Sequence, residues 1–151
     1  MVKAVGGASG KRTATGIRFA AVLASLAFGI PAGAGEAHFD GKWDVTLSCP
    51  KSPEGALAYS YEFPAEVKDS VLHGERGIPG EPGWLQLDGR IKNDGSAALV
   101  AQGITNIPAY ALYRLPKGTQ YTRAVTAQFE GASGSGSWVT RRICEFRFKK
   151  R

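Results

Sequence analysis

Two cysteines are the residues whose chemistry follows most directly from their type and spacing. Cys49 and Cys144 lie near opposite ends of the segment that follows an export-type amino terminus. Because a single cysteine pair in an exported chain is usually oxidised, we expect a disulfide between them. A loop of this length would stabilise the fold by roughly 4 to 5 kcal/mol in the chain-entropy model, and measured values are often lower. Two thiols alone make a poor metal site, so no metal is predicted at this pair.

The two histidines suggest copper binding as a second possible chemistry. If the chain were cleaved after Ala37, His38 would become the amino terminus, and its amine and imidazole could bind copper together with His73. The alternative is that His38 is a terminal residue and His73 a strand residue, with no metal. We favour the alternative, because nothing else in the sequence supports copper.

Motifs for covalent catalysis are missing from the sequence. It contains no Gly-x-Ser-x-Gly, no phosphate-binding loop and no His-Glu-x-x-His. Ser133 and Ser135 lie in a Gly-rich stretch that shows no adjacent base. The sequence therefore predicts no catalytic residue and no cofactor, and it favours a protein that is not an enzyme.

The amino terminus has the organisation of a signal peptide. The first 18 residues contain four basic residues and no acid, and residues 19–30 form an apolar run that is too short to span a bilayer. Small residues then allow cleavage after Ala34 or after Ala37. We predict a signal peptide over residues 1–34, with Ala37 as the alternative cleavage site, and a single domain over residues 35–151. The protein is then secreted or periplasmic and has no membrane span.

Removal of the leader changes the charge of the chain. Four of the 19 basic residues and none of the 13 acidic residues lie in it, so the net charge falls from +6 to +2. The remaining basic residues concentrate between Arg141 and Arg151, without the motif or the basic stripe that a nucleic-acid interface needs. We therefore expect no nucleic-acid partner.

Alternation with a period of two dominates the rest of the chain and predicts β-strands. Trp43, Val45, Leu47 and Cys49 share one face of the first strand. Turn chemistry separates the strands, including a Gly-rich turn at residues 131–136. The predicted strands cover residues 43–49, 59–68, 71–76, 85–91, 97–104, 109–114, 119–130 and 137–149.

Eight short strands joined by hairpins suggest an all-β domain, either an antiparallel up-and-down barrel or a β-sandwich. We favour the barrel, because its closure places the first and last strands side by side and would let Cys49 meet Cys144. If these cysteines oppose each other, Leu47 faces Phe146 and Val45 faces Phe148. The inward residues are bulky, so we expect a barrel interior that is largely filled.

Residues 39–45, Phe-Asp-Gly-Lys-Trp-Asp-Val, resemble the Gly-x-Trp opening of the first strand in calycins, the group of lipocalins, avidins and small bacterial protease inhibitors. The resemblance implies that Trp43 packs at the closed end of a barrel under a basic side chain. Lys150, opposite Trp43 in the predicted register, and Arg123 are the candidates. The chain lacks the Thr-Asp-Tyr motif of lipocalins, so the resemblance implies a barrel and no particular ligand.

The predicted domain is also similar to a group of small exported proteins of rhizobial-type bacteria. The shared features are the Phe-Asp-Gly-x-Trp start, a Pro-Gly-Trp-Leu segment at residues 82–85 and a late cysteine, Cys144. This resemblance implies export and no particular activity.

Loop lengths predict where a binding site would lie, because alternate connections of a meander share one end of the barrel. The long-loop end should receive residues 50–56, 77–83, 105–108 and 131–136. The other end should receive residues 69–70, 93–96 and 115–118.

We therefore predict a shallow rim site for a small amphipathic anion at the long-loop end, centred on Arg142 with Trp138, Tyr59 and Trp84. Alternatively, Arg142 extends to solvent and the tryptophans only cap the core. The predicted function is a non-enzymatic binding protein for an unidentified anion or protein partner. Two alternatives are an inhibitor of a secreted protease that uses residues 35–40 as a plug, and a structural envelope protein.

Overall fold

A computed structural model of the chain describes residues 38–151, and the predicted signal peptide with both of its cleavage sites lies outside them. Each strand pairs antiparallel with its neighbours in sequence, and the last pairs with the first, so the sheet closes into an up-and-down barrel. The predicted all-β barrel is confirmed. The strands are β1 (Gly41–Cys49), β2 (Tyr59–Lys68), β3 (Val71–Arg76), β4 (Leu85–Ile91), β5 (Ser96–Ile104), β6 (Gln120–Glu130), β7 (Ser133–Val139) and β8 (Ile143–Lys150).

The predicted disulfide and the predicted register are both confirmed. Cys49 and Cys144 are bonded, with their Cα atoms 4.3 Å apart. Along β1 and β8, Leu47 pairs with Phe146 and Val45 with Phe148. Because these residues also share the inward face, one covalent bond and one hydrophobic pattern specify the same alignment.

Two of the predicted strands are wrong. Residues 109–114 form two short 3-10 helices, Pro108–Tyr110 and Leu112–Arg114, inside one long connection. Tyr113 and Arg114 have φ angles of 57° and 52°, a left-handed conformation that cannot continue a strand. Residues 137–149 are divided between β7 and β8 by a turn at residues 140–142.

The Gly-rich stretch at residues 131–136 is mostly strand rather than turn. Only residues 131–132 form the connection, and β7 then alternates Gly and Ser. A Cβ atom on Gly134 would lie 2.8 Å from Cδ1 of Phe129, and one on Gly136 would lie 2.8 Å from Cβ of Ala127. Glycine at these two positions therefore lets β7 pass close to Phe129 and Ala127 of β6.

These changes alter which loops lie at which end. The end that we call the open end carries the connections 50–58, 77–84, 105–119 and 140–142, and the closed end carries 69–70, 92–95 and 131–132. Residues 131–136 and 115–118 were thus assigned to the wrong ends. The prediction that the long loops gather at one end nevertheless holds.

Aromatic side chains fill the barrel at its closed end. Trp43 is fully buried, and its indole N–H donates to the carbonyl oxygen of Phe39 at 2.9 Å. The ring of Phe129 contacts Trp43, Phe39 and Phe148. Lys150 covers Trp43, with its Nζ atom 6.0 Å from the ring centroid. Lys150 rather than Arg123 is therefore the basic side chain at this tryptophan.

Candidate binding site at the open end

A cavity of about 480 Å³ opens at the mouth of the barrel, among the ends of the strands and the long loops. The prediction of a largely filled interior is therefore wrong at this end. It holds deeper in the barrel, where Leu87, Phe146 and Phe148 are buried. A volume of this size is within the range of small-molecule sites.

Strand parity aims five polar or aromatic side chains at this cavity. Tyr59 and Tyr61 continue the inward face of β2 above Phe63, and Arg76 continues that of β3 above Leu72 and Gly74. Tyr121 and Arg123 occupy the inward positions of β6 that precede Val125. Because side chains alternate across a strand, the pattern that buries the core also directs these residues inward.

Gly103 makes room for one of these rings. It pairs with Tyr121 across β5 and β6. A Cβ atom on Gly103 would lie 2.4 Å from the tyrosine oxygen and 2.8 Å from the carbonyl oxygen of Trp84. The tyrosine ring therefore lies across the glycine, and any larger residue would displace its hydroxyl group.

Arg142 lies against the cavity but is tied to the loops around it. The side chain is buried, and its guanidinium group donates to the carbonyl oxygens of Pro50, Leu57 and Tyr110 at 3.2, 3.1 and 2.7 Å. It also stacks on the ring of Tyr59, with 4.9 Å from Cζ to the ring centroid. Most of its five N–H donors are thus committed to backbone. Arg142 fastens three loops together.

Two further arginines have more hydrogen-bonding capacity to offer a ligand. Arg76 lies over Tyr61, with Cζ 3.9 Å from the ring centroid, and donates one hydrogen bond to the carbonyl oxygen of Gly83. Arg123 lies 5.7 Å from the ring centroid of Tyr121 and donates to the carbonyl oxygen of Thr122. Each guanidinium group carries five donors, so both can bind an anion without breaking these contacts.

The electrostatic character of the cavity is strongly positive. All three arginines line it, and no Asp or Glu does so among the described residues 38–151. Burial raises the pKa of Tyr59 and the pKa of Tyr121, although neighbouring arginines act in the opposite direction. Both hydroxyl groups therefore remain protonated at neutral pH and can donate hydrogen bonds.

Among known proteins, no family model, no curated protein and no solved structure matches this chain.

The structure brings together three of the four predicted site residues. Tyr59, Trp138 and Arg142 all line the cavity, and Trp138 contacts the ring of Tyr121 at 6.3 Å between centroids. Trp84 does not line it. Its indole N–H donates instead to Glu75 Oε1 at 2.7 Å, because residue 84 has the opposite parity to Leu85, whose side chain is buried.

Sequence reasoning missed Arg76 and Tyr121, and it considered Arg123 only as a cover for Trp43. The signal was nevertheless present, because all three residues share parity with buried positions of their own strands. An inward arginine or tyrosine at the end of a strand therefore indicates a side chain directed into the mouth of the barrel.

The other residues considered for chemistry lie elsewhere. His73 Nδ1 is 2.6 Å from Asp88 Oδ1, and His73 is exposed on β3. His38 lies at the closed end, where its carbonyl oxygen accepts a hydrogen bond from Lys150 Nζ. Among the described residues, no group of three or more His, Cys, Asp or Glu could hold a metal ion.

The plug proposed for a protease inhibitor does not project from the barrel at residues 39–40. Phe39 is buried against Phe129. The Asp40 carboxylate accepts hydrogen bonds from the backbone N–H groups of Asp69 and Ser70 at 2.8 and 3.0 Å. These two residues close the bottom of the barrel, and residues 35–37 of the predicted plug lie outside the described residues.

No helix within residues 38–151 has the length and apolar character needed to cross a membrane.

Proposed function

We propose that this protein is an exported, non-enzymatic binding protein that holds a small amphipathic anion in the cavity at the open end of the barrel. The observation that carries the proposal is the lining of the cavity, which combines three arginines with several aromatic rings and, within the described residues, no carboxylate. The site thus keeps the anion chemistry proposed from the sequence, but its centre moves from Arg142 to Arg76 and Arg123.

The positive charge selects the polar end of the ligand. Arg76 and Arg123 can each form paired hydrogen bonds with a phosphate, sulfate or carboxylate group. Arg142 adds to the local potential although its donors are largely committed to carbonyl oxygens. The protonated hydroxyl groups of Tyr59 and Tyr121 can donate to the same group.

The aromatic rings select the apolar end. Tyr61, Tyr110 and Trp138 provide flat, partly apolar walls next to the arginines. Such rings favour a short alkyl chain or a planar group attached to the anion. We assign no reaction to the cavity, because no His, Lys, Cys, Asp or Glu among the described residues lines it and could act as a general base.

Calorimetry with hexyl phosphate tests the proposal directly. We expect hexyl phosphate to bind, and hexyltrimethylammonium, which has the same chain and the opposite charge, not to bind. Arg76→Gln and Arg123→Gln should each weaken the binding by about tenfold, the value of one charge-assisted hydrogen bond.

Arg147→Gln is the matched control, since Arg147 is exposed on the outer face of β8 and its loss removes the same charge far from the cavity. Circular dichroism establishes that each variant is folded, and Arg76→Lys and Arg123→Lys serve in place of a variant that is not. Equal binding of the anion and the cation, or equal loss in all three Gln variants, would refute the site.

Export is the second part of the proposal. It is supported by the leader-like composition of residues 1–34 and by the disulfide, which is typical of oxidising compartments. Mass spectrometry of the protein recovered outside the cytoplasm should give an amino terminus at residue 35, or at residue 38 if Ala37 is the cleavage site. Recovery of the uncleaved chain only, from the cytoplasm, would contradict export.

A further inference from the structure

Exposed apolar side chains surround the mouth of the cavity. Of the eight large hydrophobic residues that are exposed within residues 38–151, six lie at the open end. They come from all four of its connections or from the strand ends beside them. These six, which we call the apolar rim, are Leu57, Ile78, Ile107, Tyr113, Val139 and Ile143.

The remaining two exposed hydrophobics lie away from the mouth. Val71 begins β3 at the closed end, and Val100 lies in the middle of β5 on the outer wall. An apolar ring confined to one end of the molecule is typical of an interaction surface, whereas single exposed hydrophobics are ordinary.

The connections at the open end carry more basic than acidic residues at their surface. The connections of the open end contribute Lys51, Arg114, Lys117 and Arg141 at the surface, against the acids Glu54 and Glu81. Glu54 is itself 3.7 Å from Arg141. The surface that contacts this end should therefore be anionic and apolar at once, which describes a bilayer containing acidic lipids.

The depth of the cavity indicates whether a lipid could be bound entirely inside the barrel or would remain in its bilayer. Below the cavity the barrel is filled by buried side chains such as Leu87, Phe146 and Phe148. An acyl chain of ordinary length therefore has no room inside. Only the head group of such a lipid could enter, while its chains remain outside the mouth and beside the apolar rim.

We propose that the open end docks on an anionic lipid bilayer, with the apolar rim inserted at the interface and the phosphate of an acidic lipid in the cavity between Arg76 and Arg123. This inference rests on the proposed function and names its ligand as a lipid phosphate presented by a membrane. The geometry requires the barrel to contact the bilayer with its open end only.

A fluorescent reporter at defined positions tests the orientation. The full chain carries a single added cysteine labelled with nitrobenzoxadiazole, either on the rim (Ile78→Cys or Ile107→Cys) or away from it (Val71→Cys or Val100→Cys). The probes are vesicles of phosphatidylcholine containing about 30% phosphatidylglycerol, vesicles of phosphatidylcholine alone, and vesicles with a cationic lipid instead.

With the anionic vesicles we expect a blue shift and a severalfold rise in emission at positions 78 and 107, and no change at positions 71 and 100. Vesicles with the cationic lipid should give no response at any position. The comparison between positions separates docking through the open end from attachment through the apolar residues 19–30, because that attachment would not favour the rim labels.

Two sets of substitutions test the charges. With the reporter at position 78, Arg114→Gln combined with Lys117→Gln should weaken binding to the anionic vesicles by about tenfold, since each surface cation contributes to the attraction. Arg76→Gln and Arg123→Gln should each weaken it by at least fivefold if a lipid phosphate occupies the cavity.

The outcomes separate this inference from the proposed function. If hexyl phosphate binds but the rim labels do not respond to anionic vesicles, the membrane proposal is overturned while the anion site stands, and the rim is left for a protein partner. An equal response at all four labelled positions also overturns it. If the rim labels respond but Arg76→Gln and Arg123→Gln have no effect, no lipid phosphate occupies the cavity, and that part of the proposal is wrong.

Discussion

The two ends of the barrel use the same strands for opposite purposes. At the closed end, two- to four-residue turns and the packed rings of Trp43, Phe129 and Phe148 leave no space. At the open end, loops of up to 15 residues surround a cavity in which arginines and tyrosines replace the apolar core. The inward positions of the same strands therefore hold apolar residues that stabilise the closed end, and polar or aromatic residues that can bind a ligand at the open end.

The charged residues at the two ends of the barrel also differ in their roles. Asp40 at the closed end is bound to the backbone of the Asp69–Ser70 turn and helps to seal the barrel. Arg142 at the open end plays the corresponding structural part for the loops, while Arg76 and Arg123 keep donors for a ligand. If this division is correct, substitutions at the closed end should change stability without changing binding, and substitutions of Arg76 and Arg123 should do the reverse.

The largest effect is expected from Phe129→Ala, at the centre of the closed-end cluster. Removing a ring that contacts three other aromatic residues should lower the free energy of unfolding by about 4 kcal/mol. Urea denaturation measures the loss, and the folded fraction should still bind hexyl phosphate normally. For comparison, Tyr61→Ala, which truncates a partly buried ring at the open end, should cost only about 1 to 2 kcal/mol and weaken binding. A larger stability loss in Tyr61→Ala than in Phe129→Ala would contradict the view that the closed end provides most of the stability.

The next largest effect is expected from removing the disulfide, which joins the paired strands β1 and β8 near the open end. Replacing Cys49 and Cys144 together by serine should lower the free energy of unfolding by about 3 kcal/mol, because the unfolded chain is released from a cross-link that spans 95 residues of sequence. The comparison is by urea denaturation of the double variant and the oxidised protein. A loss below about 1 kcal/mol would mean that the backbone hydrogen bonds between β1 and β8 hold the barrel closed without the disulfide.

A smaller effect distinguishes the two adjacent arginines of the last turn. Arg142→Ala should cost about 2 kcal/mol, since it leaves three loop carbonyl oxygens without their donor. It should also increase hydrogen exchange in residues 105–119. Arg141→Ala is the control, because Arg141 is exposed and its ion pair with Glu54 should contribute less than about 0.5 kcal/mol. Equal losses in both variants would show that Arg142 is not a clamp.

The smallest effect is a pH dependence that belongs to the open end. Burial raises the pKa of Tyr121 above its ordinary value near 10.0, so the unfolded chain releases this proton at a lower pH than the folded protein does. The contribution of Tyr121 to stability should thus be constant near neutral pH and fall by about 1 kcal/mol over the first pH unit above 10. Tyr121→Phe should reduce this alkaline loss, whereas Tyr113→Phe, at an exposed position, should not. An undiminished loss in Tyr121→Phe would assign it to another group.

Much of the fold could be predicted because its signals are local. Alternation marks which residues face inward, and the single cysteine pair aligns the first strand with the last, so the β1–β8 register follows from the sequence. The first half of β7 was missed because its inward residues are Gly134 and Gly136, which carry no hydrophobic signal. They are small because Phe129 and Ala127 of β6 lie directly against them, and that relation exists only across strands.

The residues at 109–114 show the opposite failure. Tyr110, Leu112 and Tyr113 resemble a strand in composition, yet the chain folds there into short helical turns over the cavity. In a long connection the path is chosen by contacts with other loops, such as the hydrogen bond from the Leu57 N–H group to the carbonyl oxygen of Ala109. Propensity within the segment could not reveal these contacts.

Alternation, turn chemistry and the single cysteine pair were enough to favour the barrel over the sandwich and to predict the disulfide and the gathering of long loops at one end. The sequence also indicated an inward arginine at the mouth. Which arginine is available to a ligand depends on contacts that form only in the folded protein. Arg142, Arg76 and Arg123 all face the same cavity, but the positions of the loop carbonyl oxygens determine that the first is committed to backbone and the other two retain donors. Parity assigns a side chain to a face of the sheet, whereas its hydrogen-bond partners depend on segments distant in sequence.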